Sequence, residues 1–266
     1  MQVASLHVYP VKSLGGVTLT EARLAETGLQ FDRRMMLVDD AGRFYTQREH
    51  PGLARVAVSL SVSGLTLTAP GGDVLAVSHD TEGLARREVT VWGDTVDAAV
   101  MGADARRWMR TALGLSGDLV AFDGGSHRAV DAHYAAPDDR VGFADGFALL
   151  VTTEASLDDL NGRLDAPVGM ARFRPNVVLS GATAWAEDDW QTLTVAGLVL
   201  RVLKPCGRCV MVDIDPERAQ GRGAVLKTLA TFRMRGHRVV FGQNVQHHPG
   251  DVGRVLRVGD LVVPQG

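Results

Sequence analysis

Cysteine is the scarcest reactive residue of this chain, with two copies in 266 residues, Cys206 and Cys209. So few thiols exclude a disulfide-stapled secreted scaffold, and a reducing compartment would keep both available for chemistry. No second CxxC or HxxxH accompanies them, and His247 and His248 are adjacent, so a four-ligand zinc site lacks its other half. Aromatic residues make up only 6% of the chain, and no apolar run is long enough to span a bilayer. The first residues, MQVASLHVYPVKSL, show neither a basic region nor the apolar stretch of a signal peptide, so the expectation is a cytoplasmic protein with no membrane partner. Excess charge of either sign is also missing. The 28 Lys plus Arg face 31 Asp plus Glu, and no stretch gathers the basic residues into a stripe, which argues against nucleic acid as a partner.

What the chain does have is β pattern. VASLHVYPV, MMLVDDAGRFYTQ with a hairpin at Asp39 to Gly42, ARVAVSLSVSGLTLTAPGG and REVTVWGDTVDAAV alternate apolar and polar residues, as half-buried antiparallel strands do. ADARRWMRTALGL places Ala105, Trp108, Met109 and Leu113 at helical spacing, with Gly114 as its stop. The Gly- and Asp-rich stretch DGGSHRAVDAHYAAPDDRVGFADG reads as a long loop between two units. Beyond it Thr153 can cap a helix, and NVVLSG, QTLTVAGLVLRVLK, CVMVDID, HRVVFGQNVQ and RVLRVGDLVVP return to strand. The expected fold class is mainly β and barrel-rich with a few helices, divided into units at 1–118 and 119–266.

Three clusters can carry chemistry. In KPCGRCVMVDIDP, Lys204 and Arg208 lie beside the two cysteines, and neighbouring cations favour a thiolate, a nucleophile or soft metal ligand. A thioredoxin-like pair would open a helix here, whereas VMVDID reads as continuing strand; two inert buried thiols are the ordinary alternative. In RFRPN, Pro175 favours an extended Arg174, and on an alternating strand Arg172 and Arg174 would fork from one face toward a phosphate or carboxylate. The ordinary alternative is a solvated or salt-bridged face. In YPVKSLGG, Lys12 and Ser13 sit at a Gly-flanked turn able to hold an anion, although such pairs are commonly plain surface. FDRRMM adds Asp32, Arg33 and Arg34, which again read most simply as a salt-bridged strand end.

In order, YPVKSLGG, FDRRMMLVD, YTQREHPGLARV, VWGD, TTEASLDDLN, RFRPNVVLSG, EDDW, KPCGRC and FGQNV span nearly the whole chain. This series resembles the MOSC proteins that carry an N-terminal β-barrel domain, among them molybdenum enzymes that reduce N-hydroxylated compounds. The resemblance implies a molybdenum cofactor, metal bound by a pterin (molybdopterin), with Cys209 as the protein ligand to the metal and Cys206 as support. It implies cofactor-binding roles for Lys12, Ser13, Arg33, Asp145, Arg174, Asn176, Arg208 and Asn244. It further implies a small N-hydroxylated substrate, such as a hydroxylaminopurine or amidoxime. With no further cysteines for an iron-sulfur cluster, electrons are expected from a separate donor, ferredoxin-like or a flavin reductase. The chain departs from its relatives after the cysteines, where VMVDIDPERAQ replaces a Thr-Thr pair and a DPxTG turn. A sulfur or cofactor carrier using a cysteine persulfide is the alternative of another class, and a non-catalytic binding module is a third.

Overall fold

The computed structural model describes residues 1–266 apart from Arg222. The mainly β expectation holds. One sheet of nine strands runs in the order Val17–Leu19, Gln2–Val8, Val177–Ser180, Leu149–Thr153, Arg238–Gln246, Leu198–Arg208, Thr192–Val195 and Val262–Gln265, with Met234–Arg235 added beside Arg238–Gln246. A bridge between Gln2 and Leu261 joins the first strand to the start of the last, and Met1 O accepts from Val262 N at 3.0 Å, so the path curls back on itself. Inside it lie Val3, Leu6, Leu149, Val177, Leu200 and Val245, each at most 2% exposed. Such burial supplies roughly 1.5 to 3 kcal/mol per large aliphatic side chain.

The residues before 122 contribute a second sheet, Met35–Val38, Asp118–Ala121, Asp94–Val100 and Arg86–Val91, and a meander of Ala57–Leu60, Gly64–Thr68 and Val74–Ser78. The period-two pattern is visible in Val74–Ser78, whose residues alternate between exposed and buried. Strand pairing crosses the 118/119 division at both ends: Asp118–Ala121 pairs back with Met35–Val38, and Gln2–Val8 pairs forward with Val177–Ser180. We propose that the chain is nonetheless organised as two units, 1–118 and 119–266.

The helix expected around Trp108 is Ala103–Trp108, continued as one wider turn to Leu113, with Gly114 left-handed at φ 69°. Thr153 caps the helix Glu154–Asn161 by accepting from Ser156 N at 3.1 Å. The hairpin at Asp39 to Gly42 also forms, with Gly42 N donating to Asp39 O. Gly242 is needed inside Arg238–Gln246, because at φ 73° a Cβ would stand 2.7 Å from both Thr152 Cγ2 and Val151 O.

Two expectations fail. VMVDID is not a continuous strand: Val210–Asp213 is a 3-10 turn, and only Ile214–Asp215 is extended. Buried Asp213 explains this, since its carboxylate accepts from Val225 N at 2.8 Å and Leu226 N at 3.2 Å at the start of the helix Ala224–Ala230, which draws the chain out of the sheet. Nor do Arg172 and Arg174 fork from a strand. Arg172 ends the 3-10 turn Met170–Arg172, and Arg174 is left-handed at φ 54°. Proline disfavours the right-handed helical region for the residue before it. Here Arg174 escapes into the left-handed region, where its carbonyl accepts from Arg33 Nη2 at 3.0 Å.

One buried acid sets a pH dependence. Glu187 is 0% exposed, with the Ser156 and Thr153 hydroxyls at 2.9 and 3.2 Å from Oε2 and no partner for Oε1. Burial pushes its carboxyl up from 4.5, so its contribution to stability is complete below that pH and is lost as pH rises through the raised value. Relative to wild type, Glu187→Gln should therefore gain stability as pH rises above about 4.5. Denaturation midpoints of both proteins from pH 4 to 8 check this, and a constant difference across that range would refute it.

Candidate functional site

All nine residues assigned to the site line a single cleft of about 930 Å3, counting the solvent at its mouth. It lies where segments from both parts of the chain meet. The Leu198–Arg208 strand has two register shifts against Arg238–Gln246, between Val202 and Lys204 and between Pro205 and Gly207, and it ends one residue before Cys209. The thiol is exposed there. Cys206 is half-buried within the strand, and burial pushes its thiol pKa up. This gives a physical separation of the two cysteines, because a metal can reach Cys209 while Cys206 is held toward its neutral form.

Lys12 and Ser13 are buried, which excludes the plain-surface reading of their turn. Lys12 Nζ donates to Phe143 O at 2.8 Å and to Asp145 Oδ1 at 2.6 Å. Burial pushes the lysine pKa down against the pull of Asp145. It also tends to raise Asp145, but the charge and hydrogen bond of Lys12, followed by Arg33, outweigh it and hold this carboxyl well below the usual range. Asp145 is thus a hydrogen-bond acceptor at neutral pH that lines the cleft. Ser13 Oγ donates to Tyr45 O.

Arg33 and Arg174 lie over the ring of Tyr9, at 4.4 and 4.1 Å from its centroid. Arg33 also pairs with Asp32 at 2.6 Å, so the salt-bridged reading of FDRR is correct and coexists with a place in the cleft. Burial, then the neighbouring Arg33 charge, pushes Arg174 down to about 10, still cationic at pH 7. Arg208 spends its donors on Phe241 O and Phe173 O, while Asn176 accepts from Leu150 N and Arg33 and donates to His7 O. These two residues build the cleft wall. Among the described residues, the Asn244 amide donates to Pro205 O alone, at 3.5 Å.

Sequence reasoning missed Arg48, Trp92, Phe44 and Met211, which also line the cleft. Arg48 Nη1 stands 3.7 Å from Cys209 Sγ, whereas Lys204 lies over the rings of Tyr134 and Phe147 and Arg208 donates to Phe241 O and Phe173 O. Nothing in the spacing of YTQREHPGL or VWGD assigns Arg48 a partner 161 residues away or Trp92 one 53 residues away. The available signal was conformational. Of eight described non-glycine residues with positive φ, Ser13, Arg33, Trp92 and Arg174 all face this cleft. Each such conformation costs about 1 to 2 kcal/mol, and strain of this kind gathers where a geometry must be held for a ligand.

Among the described residues, no group of three or more His, Cys, Asp or Glu side chains is placed to hold a metal. Cys209 alone could therefore only complete the coordination of a metal arriving with its other ligands. Cationic walls and a single soft donor match that kind of group, an anionic organic cofactor carrying its own metal.

The model of the MOSC N-terminal beta barrel domain matches residues 1–116, and that of the MOSC domain matches residues 138–263. Mitochondrial amidoxime-reducing component 1 of Mus musculus is 31% identical over 98% of this chain and 81% of its own length. The chain belongs to the MOSC family. The Homo sapiens protein of the same name is likewise 31% identical, over 98% of this MOSC chain and 82% of its own length. A molybdenum cofactor sulfurase of Oryza sativa subsp. japonica is 29% identical over 99% of this chain, which spans 35% of that larger protein. Within this MOSC chain no described helix is long and apolar enough to cross a membrane.

Proposed function

We propose that the cleft holds a molybdenum cofactor through Cys209 and that the protein reduces N-hydroxylated compounds, amidoximes and hydroxylaminopurines among them, with electrons from a separate redox protein. The observation carrying this reading is the exposed Cys209 thiol at the head of a cleft walled by Lys12, Arg33, Arg48 and Arg174. The names of its amidoxime-reducing relatives support the reaction. When bound, the molybdenum centre supplies the two-electron chemistry that converts N–OH to N–H and releases the oxygen as water, two protons being taken up. Lys12, Arg33 and Arg174 offset the negative charge of a pterin phosphate, with Ser13 and Asn244 as further polar contacts. Asp145, ionised beside Lys12, accepts hydrogen bonds from ring or substrate N–H groups and is unsuited to giving up a proton. Cytosolic residence and a role in detoxification belong to the same proposal.

The test is molybdenum and pterin analysis of protein made in a cofactor-competent host, combined with benzamidoxime turnover using reduced methyl viologen. Near-stoichiometric metal with turnover is expected. Metal-free protein would overturn the reading. The similarity to a cofactor sulfurase favours one rival, a carrier of sulfur or cofactor, and bound metal or persulfide without turnover would select it.

A further inference from the structure

The strands Arg86–Val91 and Asp94–Val100 are joined by a two-residue turn, Trp92 and Gly93, closed by the Val91 and Asp94 pair. Two-residue hairpins of this sort favour Asn-Gly or Gly-Gly, because the first turn residue needs positive φ. Here that position, at φ 57°, holds the largest side chain available, and it stays 46% exposed. Nothing in the hairpin itself calls for an indole. Its recorded contacts lie with other residues of the cleft: Nε1 donates to Asp145 Oδ1 at 3.3 Å, the Arg48 guanidinium lies over the ring at 4.7 Å from its centroid, and Lys12 Nζ stands more distantly over it at 5.9 Å. Phe44 meets the ring edge-on, with centroids 5.1 Å apart. Through Arg48, the indole is linked to the rim of Cys209.

We propose that Trp92, with Phe44 behind it, is a specificity-determining residue that favours flat, conjugated N-hydroxylated substrates over small aliphatic ones. This rests on the reductase reading given above. A strained, half-exposed indole is a poor stability device, whereas a rigid aromatic plate lining the same cleft as the Cys209 thiol gains energy from any planar ligand that slides against it. Arg48 keeps the plate oriented by covering part of one face, and Asp145 fixes its edge.

The experiment compares wild type, Trp92→Asn and Trp92→Phe. Asn suits the turn better, so its melting temperature should equal or exceed that of wild type. Its ratio of kcat/KM for benzamidoxime over acetamidoxime should fall about tenfold, carried by KM for benzamidoxime, and Trp92→Phe should restore most of it. Calorimetric titration with benzamidoxime, without any reductant, should show about tenfold weaker binding to Trp92→Asn. If the ratio and the affinity stay within twofold of wild type, or if both substrates fall together with the melting temperature, the proposal is overturned. Should wild type reduce neither amidoxime, the reductase reading fails, while the titration still decides on Trp92: equal affinities, or no binding by wild type, reject it.

Discussion

Replacing Cys209 by serine should leave a folded protein with almost no molybdenum and with amidoxime reduction lowered by at least ~100-fold, more than is usual for removing a group that merely supports a ligand. The thiol is exposed, and its recorded side-chain partner is Arg48 at 3.7 Å, so little packing is lost and the melting curve should stay close to that of wild type. A serine hydroxyl does not ionise near neutral pH and is a hard oxygen donor, whereas the centre calls for a soft sulfur. Cys206→Ser provides the contrast. Its sulfur is half-buried, disfavoured as thiolate by that burial, and pointed toward Gly207 O at 3.8 Å, so most of the metal should remain. Metal-to-protein ratios for the two variants decide the matter. Equal losses, or a greater loss in Cys206→Ser, would place the ligand elsewhere.

The largest effect on stability should come from Asp188→Ala. The carboxylate is largely shielded, its side chain 11% exposed, and accepts two hydrogen bonds from Arg233, one from Arg235 and one from Gln243, between 2.7 and 3.2 Å. Arg233 is itself only 7% exposed as a side chain, and its guanidinium lies over Trp185. Removing the acid strands a buried cation, which typically costs about 3 to 5 kcal/mol. For a chain of this size that corresponds to a drop in melting temperature on the order of 10 °C. There is also a pH signature. Burial tends to raise Asp188, but its bonds and charge contact with Arg233 hold its carboxyl below the usual 3.8, so its stabilising part is present above that pH and fades as pH falls further. The gap between wild type and variant should therefore narrow in acid. Urea midpoints at pH 3 and pH 7 test this, and a loss under about 1 kcal/mol at pH 7 would reject the buried-pair argument.

Much of this was legible in the chain before its structure. Period-two alternation marked Val74–Ser78 and its neighbours, and the spacing of Ala105, Trp108 and Met109 with Gly114 marked the helix and its end. The cationic set Lys12, Arg33 and Arg174 was visible as residue types, and these do meet. Hidden were the backbone at Arg174 and the turn after Cys209. At both, a tertiary contact overrides the local preference: Arg33 on the Arg174 carbonyl, and the Asp213 carboxylate on a helix start. Arg48 and Trp92 were hidden for another reason, since their significance lies in what faces them across the cleft. Conversely, Arg208 and Asn176 look like ligand binders in sequence but give their polar atoms largely to backbone groups.

The pairing of Gln2–Val8 with Val177–Ser180, and of Met1 and Gln2 with residues 261 and 262, sets an order of events during synthesis. The first strand can pair at once with Val17–Leu19, but its other edge waits until Val177–Ser180 has been made, and its first residues wait for Leu261 and Val262. Contacts so distant in sequence close slowly. Until they close, Lys12 and Cys209 do not face one cavity, so the cleft is among the last features of the fold to be assembled.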